Sequence, residues 1–237
     1  MSDKDEFKSF SSIEKEEKRE KRRKKANETK DTRKDISELI KNTLIMLAIT
    51  LVAAGLLSVV NNVTKEPIAQ MEIATREAAN KKVFSNADSF SETMTGLVEA
   101  ADTAETAYSG SDITDFIYAY DSEGEILGAV MQVTSHEGYG GDIVFAIGIT
   151  NDNVINGISI TSISETAGLG MNAEEVIVPQ FKDRAAMIFE VVKTGSVMEN
   201  QIDAISSATK TSKAITNGVN HAVEFFGLVT EGGVTVE

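Results

Sequence analysis

Eighteen consecutive residues without a charge, Thr43 to Val60 (TLIMLAITLVAAGLLSVV), constrain this chain more than any other stretch. As a helix they extend about 27 Å, close to the hydrocarbon thickness of a bilayer, and Leu39 and Ile40 can add a turn. A cleaved signal peptide is the competing reading. The run begins only at residue 43, however, and no small-x-small site follows it, so an uncleaved signal anchor is expected.

The flanks orient that anchor. Lys24, Lys25, Lys30, Arg33, Lys34 and Lys41 precede it, whereas only Lys65 and Arg76 follow closely. The positive-inside bias therefore puts the N-terminus in the cytoplasm and everything after the span outside. Residues 1–36 hold 13 Lys/Arg against 10 Asp/Glu with almost nothing apolar, too little to fold alone. Glu residues interspersed among the bases favour a membrane-adjacent tail over a nucleic-acid tail. The rest holds 10 basic against 27 acidic residues, with no Lys or Arg between Lys82 and Lys182. Such a surface argues against nucleic acid as a partner. The expected organisation is a charged cytoplasmic tail (1–36), a transmembrane signal anchor (37–63) and an extracytoplasmic domain (64–237). The chain has no cysteine and two histidines, His136 and His221, which are expected on the surface or in loops. Neither a metal site nor a catalytic residue is expected.

Within the domain, Gln70 to Val83 reads as a polar-leaning helix after Pro67, and Asn86 to Ser111 as a surface excursion with at best one short helix. The runs DFIYAY, EILGAVMQVT, DIVFAIGIT and VINGISITSI then read as strands. Turn chemistry at Asp121-Ser122-Glu123-Gly124 and Asn151-Asp152-Asn153 makes an antiparallel β-meander the natural arrangement. Gly138-Tyr139-Gly140-Gly141 joins the middle pair, as a flexible hairpin connection rather than a phosphate cradle, because no helix follows it. Pro179 to Val192 is compatible with a helix or an extended piece. A last helix is expected from Thr211 or Ser212. Its apolar stripe is Ala214, Ile215, Gly218, Val219, Ala222, Val223 and Phe226, with Lys213, Asn217, Asn220 and Glu224 outside. The closing GLVTEGGVTVE reads as a polar tail. The fold class is α+β, with packed helices around the meander behind a single N-terminal transmembrane helix.

Ser206, Ser207, Ala208 and Thr209 fall at the N-terminus of that last helix, where unpaired amides and the macrodipole favour a phosphate. From the hydroxyls alone an ordinary cap is the plainer reading. Asp203 followed by Ser206-Ser207-Ala208-Thr209 resembles the flavinylation motif of FMN-binding domains, with Ser207 where many members have Gly. Ser164-Glu165-Thr166-Ala167-Gly168-Leu169-Gly170 resembles that family's flavin-contacting loop, with Ala167 where Pro is usual. Together with the anchor, these motifs look like the G subunit of the Rnf ferredoxin:NAD oxidoreductase and the related C subunit of the sodium-pumping NADH:quinone oxidoreductase. The resemblance implies covalent FMN on Thr209 through a phosphoester, with Asp203, Ser206, Ser207 and Ala208 around the attachment point. It also implies Glu165, Thr166, Leu169 and Gly170 beside the ring. It further implies an electron relay within a membrane complex that moves sodium ions or protons, with other membrane and iron–sulfur subunits and a flavin transferase as partners. No independent substrate site is expected. The alternative from another class is a non-redox anchored scaffold whose hydroxyl turn merely caps a helix.

Overall fold

The computed structural model describes residues 3–103 and 107–230. One helix, α1, runs Asp3–Val83 without interruption. The helix read after Pro67, Gln70 to Val83, is the last part of this one, with Pro67 inside it. Proline removes one N–H bond, yet the helix passes through it. Glu38–Val83 contains an 18-residue window of mean hydropathy 2.5 with none of it buried, so this helix is long and apolar enough to cross a membrane and fits a membrane anchor. Hydroxyls within it are neutralised locally: Thr43, Thr50 and Thr64 donate to the carbonyls of Leu39, Met46 and Val60 at 2.8, 3.1 and 2.9 Å. The chain divides into units Met1–Ile68 and Ala69–Glu237.

In the second unit the elements after α1 are β1 Ser89–Phe90, α2 Thr95–Thr103, β2 Ser111–Tyr120, β3 Ile126–Ser135, β4 Ile143–Thr150, β5 Val154–Ser162, α3 Ala173–Val176, β6 Arg184–Ala185, β7 Glu190–Val192, β8 Gln201–Asp203 and α4 Thr209–Thr230. Strands β1 to β6 form one antiparallel sheet in sequence order, so the expected meander is present with a short strand added at each edge. Strands β7 and β8 form a separate parallel pair. The segment from Pro179 to Val192 is neither one helix nor one strand: it opens in a short 3-10 turn, Val178–Gln180, and carries the short strands β6 and β7, while Phe181 and Phe189 from it are buried edge to face at 5.1 Å.

Alternation along the strands gives the sheet two apolar faces. Phe116, Met131, Val133, Phe145, Ile147 and Ile149 join Ala214, Ile215, Val219, Ala222 and Phe225 of α4 in the main core. The opposite face carries Ile117, Ala119, Val130 and Ala146, covered by Ala79, Val83 and Phe84 from the end of α1. Strand β2 lines both faces, like its neighbours, but its register slips between Ile113 and Asp115 and so changes which residues face which side. Before the slip Ile113 faces the main core; after it Phe116 does, and Asp115 and Ile117 point the other way. The excursion expected over Asn86 to Ser111 is anchored rather than superficial, since Leu97 and Ala101 of α2 are buried in the main core.

The apolar stripe of α4 is as expected, but two polar residues differ. Asn220 is buried, accepting the Phe189 N–H at 2.8 Å and donating to the Phe189 carbonyl at 2.9 Å, which locks the β7 side of the domain to the helix. His221 is also buried rather than in a loop, with Nδ1 2.9 Å from Ser111 Oγ. The helix continues through Gly227–Thr230, where a tail was expected; residues 231–237 lie outside the described residues.

Candidate functional site

Helix α4 begins at Thr209, two residues earlier than the periodicity of its stripe indicates, so the hydroxyl motif is split between turn and helix. Ala208 N–H bonds the Ile205 carbonyl at 3.0 Å and the Ala208 carbonyl accepts Ser212 N–H at 3.1 Å. The amides of Thr209, Lys210 and Thr211 thus lie ahead of the helical ladder. Ser212 fixes the turn from beneath: its buried hydroxyl donates to the Ala208 carbonyl at 3.0 Å and accepts Ile205 N–H at 2.9 Å. Ser207 has φ 62°, the left-handed region that Gly occupies without cost. The Ser207 backbone therefore adopts the glycine-like angle required at this position of the turn.

A cleft of about 380 Å³ opens in front of this turn, lined by Tyr139, Glu165, Thr166, Leu169 and Gly170 on one side and residues 207–211 on the other. That volume lies within the roughly 300–1,000 Å³ usual for ligand pockets. Glu165 joins its walls. One carboxylate oxygen accepts the amides of Tyr139 and Gly140 at 2.7 and 3.2 Å, and the other accepts the Thr211 hydroxyl at 3.1 Å. Thr209 and Lys210 are exposed at the mouth, and Lys210 Nζ stands 6.0 Å from the Tyr139 ring centre.

Three glycines let these walls approach. A Cβ at Gly138 would come within 2.0 Å of the Gly141 carbonyl oxygen, and one at Gly140 within 2.0 Å of the Ser164 carbonyl oxygen. At Gly170 it would meet Glu165 Cβ and Thr211 Oγ1, each at 2.7 Å. The helical amides with no partner in the ladder suit a ligand that presents a phosphate.

Of the residues singled out in the sequence, Glu165, Thr166, Leu169, Gly170, Ser207, Ala208 and Thr209 meet around the cleft. Ser206 is exposed outside its lining, and Asp203 sits at the end of β8. The Asp203 carboxylate accepts Ser196 N–H at 2.9 Å, while its backbone N–H donates to Gln180 Oε1 at 2.8 Å, so it shapes the approach to the turn. Three lining residues lie outside that set: Lys210, beside the motif, Tyr139 and Thr211. Tyr139 belongs to the glycine cluster read as a plain hairpin connection, and Thr211 is 1% exposed beneath the motif. The adjoining glycines were the available signal for Tyr139.

Comparison with known proteins follows the same division. The FMN-binding domain pattern matches residues 138–224, which include both walls of the cleft, and the RnfG N-terminal region pattern matches residues 34–83. The G subunit of the Na(+)-translocating ferredoxin:NAD(+) oxidoreductase complex of Acetobacterium woodii is 34% identical over 185 residues, 77% of this chain and 89% of that one. The G subunit of the proton-translocating ferredoxin:NAD(+) oxidoreductase complex of Clostridium ljungdahlii is 44% identical over 97 residues, 40% of this chain and 52% of that one. The crystal structure of Shewanella oneidensis NqrC superposes with a TM-score of 0.41 and 17% identity, over 62% of this chain and 73% of that one. With so long a match to the Acetobacterium protein, the chain belongs to the family of G subunits of ion-translocating ferredoxin:NAD(+) oxidoreductase complexes.

Proposed function

We propose that this chain is a membrane-anchored flavoprotein subunit that carries FMN covalently on Thr209 and relays electrons in a complex coupling ferredoxin:NAD electron transfer to sodium ion or proton translocation. The observation that best supports this is the meeting in one cleft of Glu165–Gly170 and residues 207–211, segments far apart in sequence, with a helix N-terminus between them.

When bound, the isoalloxazine supplies the redox chemistry. The protein's share is position and electrostatics. The exposed Thr209 hydroxyl is the group that would form the phosphoester, and the first-turn amides of α4, with Lys210 at the mouth, would offset the roughly one negative charge left on the phosphate. Thr166, Leu169 and Gly170 would border the ring, while Glu165 keeps that border fixed by tying the glycine loop to Thr211. Ser206 and Asp203 would define the turn for the flavin transferase. In this reading residues 37–63 span the cell (inner) membrane once, 1–36 face the cytoplasm, and 64–237 form the extracytoplasmic domain. There a tethered cofactor cannot be lost by dilution, and it stays near its membrane and iron–sulfur partners.

The test is Thr209→Val made alongside the transferase. Val keeps the shape and removes the hydroxyl, and since Thr209 opens α4 and the helix propensities of Thr and Val are similar, the cost is at most about 1 kcal/mol, too little to unfold a domain. The denatured Thr209→Val band should be dark under flavin excitation, with Ser206→Ala and Ser207→Ala bands fluorescent and the FMN mass on the peptide holding Thr209. A fluorescent Thr209→Val band would sink the assignment.

A further inference from the structure

The loop that walls the cleft is closed at its base by a single side chain. His136 follows β3 and Asp142 precedes β4, so the two bracket the glycine cluster. His136 Nδ1 lies 2.9 Å from Asp142 Oδ1, its Nε2 lies 2.8 Å from Asp112 Oδ2 in β2, and its backbone N–H donates to the Gly110 carbonyl at 2.9 Å. An ionised carboxylate only accepts hydrogen bonds, and a neutral imidazole carries one N–H. Both ring bonds can therefore be donated together only by the imidazolium. Between the bracketing residues stand Tyr139 and Gly140, whose amides reach Glu165 across the cleft.

We propose that His136 is a positioning residue for the ligand cleft: as a cation it joins β2 to both ends of the 136–142 loop and so holds Tyr139 and Gly140 against Glu165. The proposal rests on the flavin reading only for what the cleft contains. The charges around the clasp come from several elements: Asp112 from β2, Asp142 ahead of β4, and Glu137 beside it, whose carboxylate accepts the Asn217 side-chain amide of α4 at 2.6 Å. Buried His221 of α4 is in turn within electrostatic reach of Asp112.

The hydrogen bond to Asp112, then that to Asp142, raises the His136 pKa above 6.5, against a weaker opposing effect of burial. A raised histidine pKa in the fold means the clasp is fully present below the unfolded value and is lost as pH rises through the folded one. Deprotonation leaves one carboxylate without a donor and two neighbouring negative charges at the base of the loop.

The sequence has no tryptophan, so Tyr139→Trp places a single reporter at a 72% exposed loop position. Full-length protein in detergent, carrying this reporter with His136, His136→Arg or His136→Gln, would be followed by tryptophan anisotropy from acid to alkaline pH. With His136 the anisotropy should fall in one step as pH rises, with a midpoint above 6.5. His136→Arg keeps a cation with several donors at every pH and should hold the low-pH value throughout; His136→Gln should hold the high-pH value throughout. Equal, pH-independent anisotropy in all three, or a step that survives His136→Arg, overturns the proposal. Flavin fluorescence is read separately on the same samples after denaturation, when the reporter no longer stands beside the ring. Its absence would count against the flavin reading while the anisotropy still decides the clasp.

Discussion

Glu165→Ala should destabilise the domain far more than Glu165→Gln, because the carboxylate is a structural junction as well as a neighbour of the ligand. Alanine removes acceptors for two amides and for the Thr211 hydroxyl. Hydrogen bonds to a charged group contribute about 1.5–3 kcal/mol each, and water can replace the partner of an exposed amide, so the net loss is roughly 2–4 kcal/mol. Thr211 accounts for the least recoverable part, since it is 1% exposed. Glutamine can turn its carbonyl to the two amides and its NH₂ to Thr211, whose hydroxyl then accepts; its cost should stay near 1 kcal/mol. Far-UV dichroism is a poor probe here because the 81 residues of α1 dominate it. Tyrosine fluorescence is better, since all four tyrosines, 108, 118, 120 and 139, belong to the second unit. With urea slopes of about 1–3 kcal/mol per molar, the alanine midpoint should fall by roughly 1–2 M. An alanine midpoint within about 0.3 M of the parent, on the same scale, would refute the junction role.

Gly218→Ala should destabilise by about 1–3 kcal/mol despite the helix propensity it gains, because its Cβ would stand 2.9 Å from the tip of fully buried Phe145; a neutral or stabilising result in urea would contradict that packing. For His221, burial lowers the pKa below 6.5, so it binds more protons unfolded than folded and its contribution is lost as pH falls below 6.5. His221→Gln should therefore flatten the decline of the urea midpoint on the acid side, and an unchanged slope would assign that decline to another group.

The meander was legible because four β-prone runs were separated by turn residues, and the helix stripe because α4 packs only one side on the sheet. Burial of Asn220 and His221 was not legible: each bonds a partner far along the chain, Phe189 and Ser111, and periodicity records no such pairing. The helix after Pro67 was read as starting beyond it, whereas the chain is helical on both sides of the proline. The cleft was half legible. Its motif residues carry a resemblance, but Tyr139 enters through a loop whose glycines serve close backbone approach, and spacing alone does not distinguish that from a flexible turn.

The slip in β2 decides where a soluble version of the domain can begin. By turning Ile117 to the second face, it adds to a surface that Ala79 and Val83 at the end of α1 and Phe84 just after it cover, and Gly148 leaves the room that the Phe84 ring occupies. A fragment started at the first strand would expose Ile117, Ala119, Val130 and Ala146 to water and invite association between copies. One started at Ala69 retains Ala79, Val83 and Phe84 while discarding the uncharged run, so the cut belongs inside the helix rather than at its end.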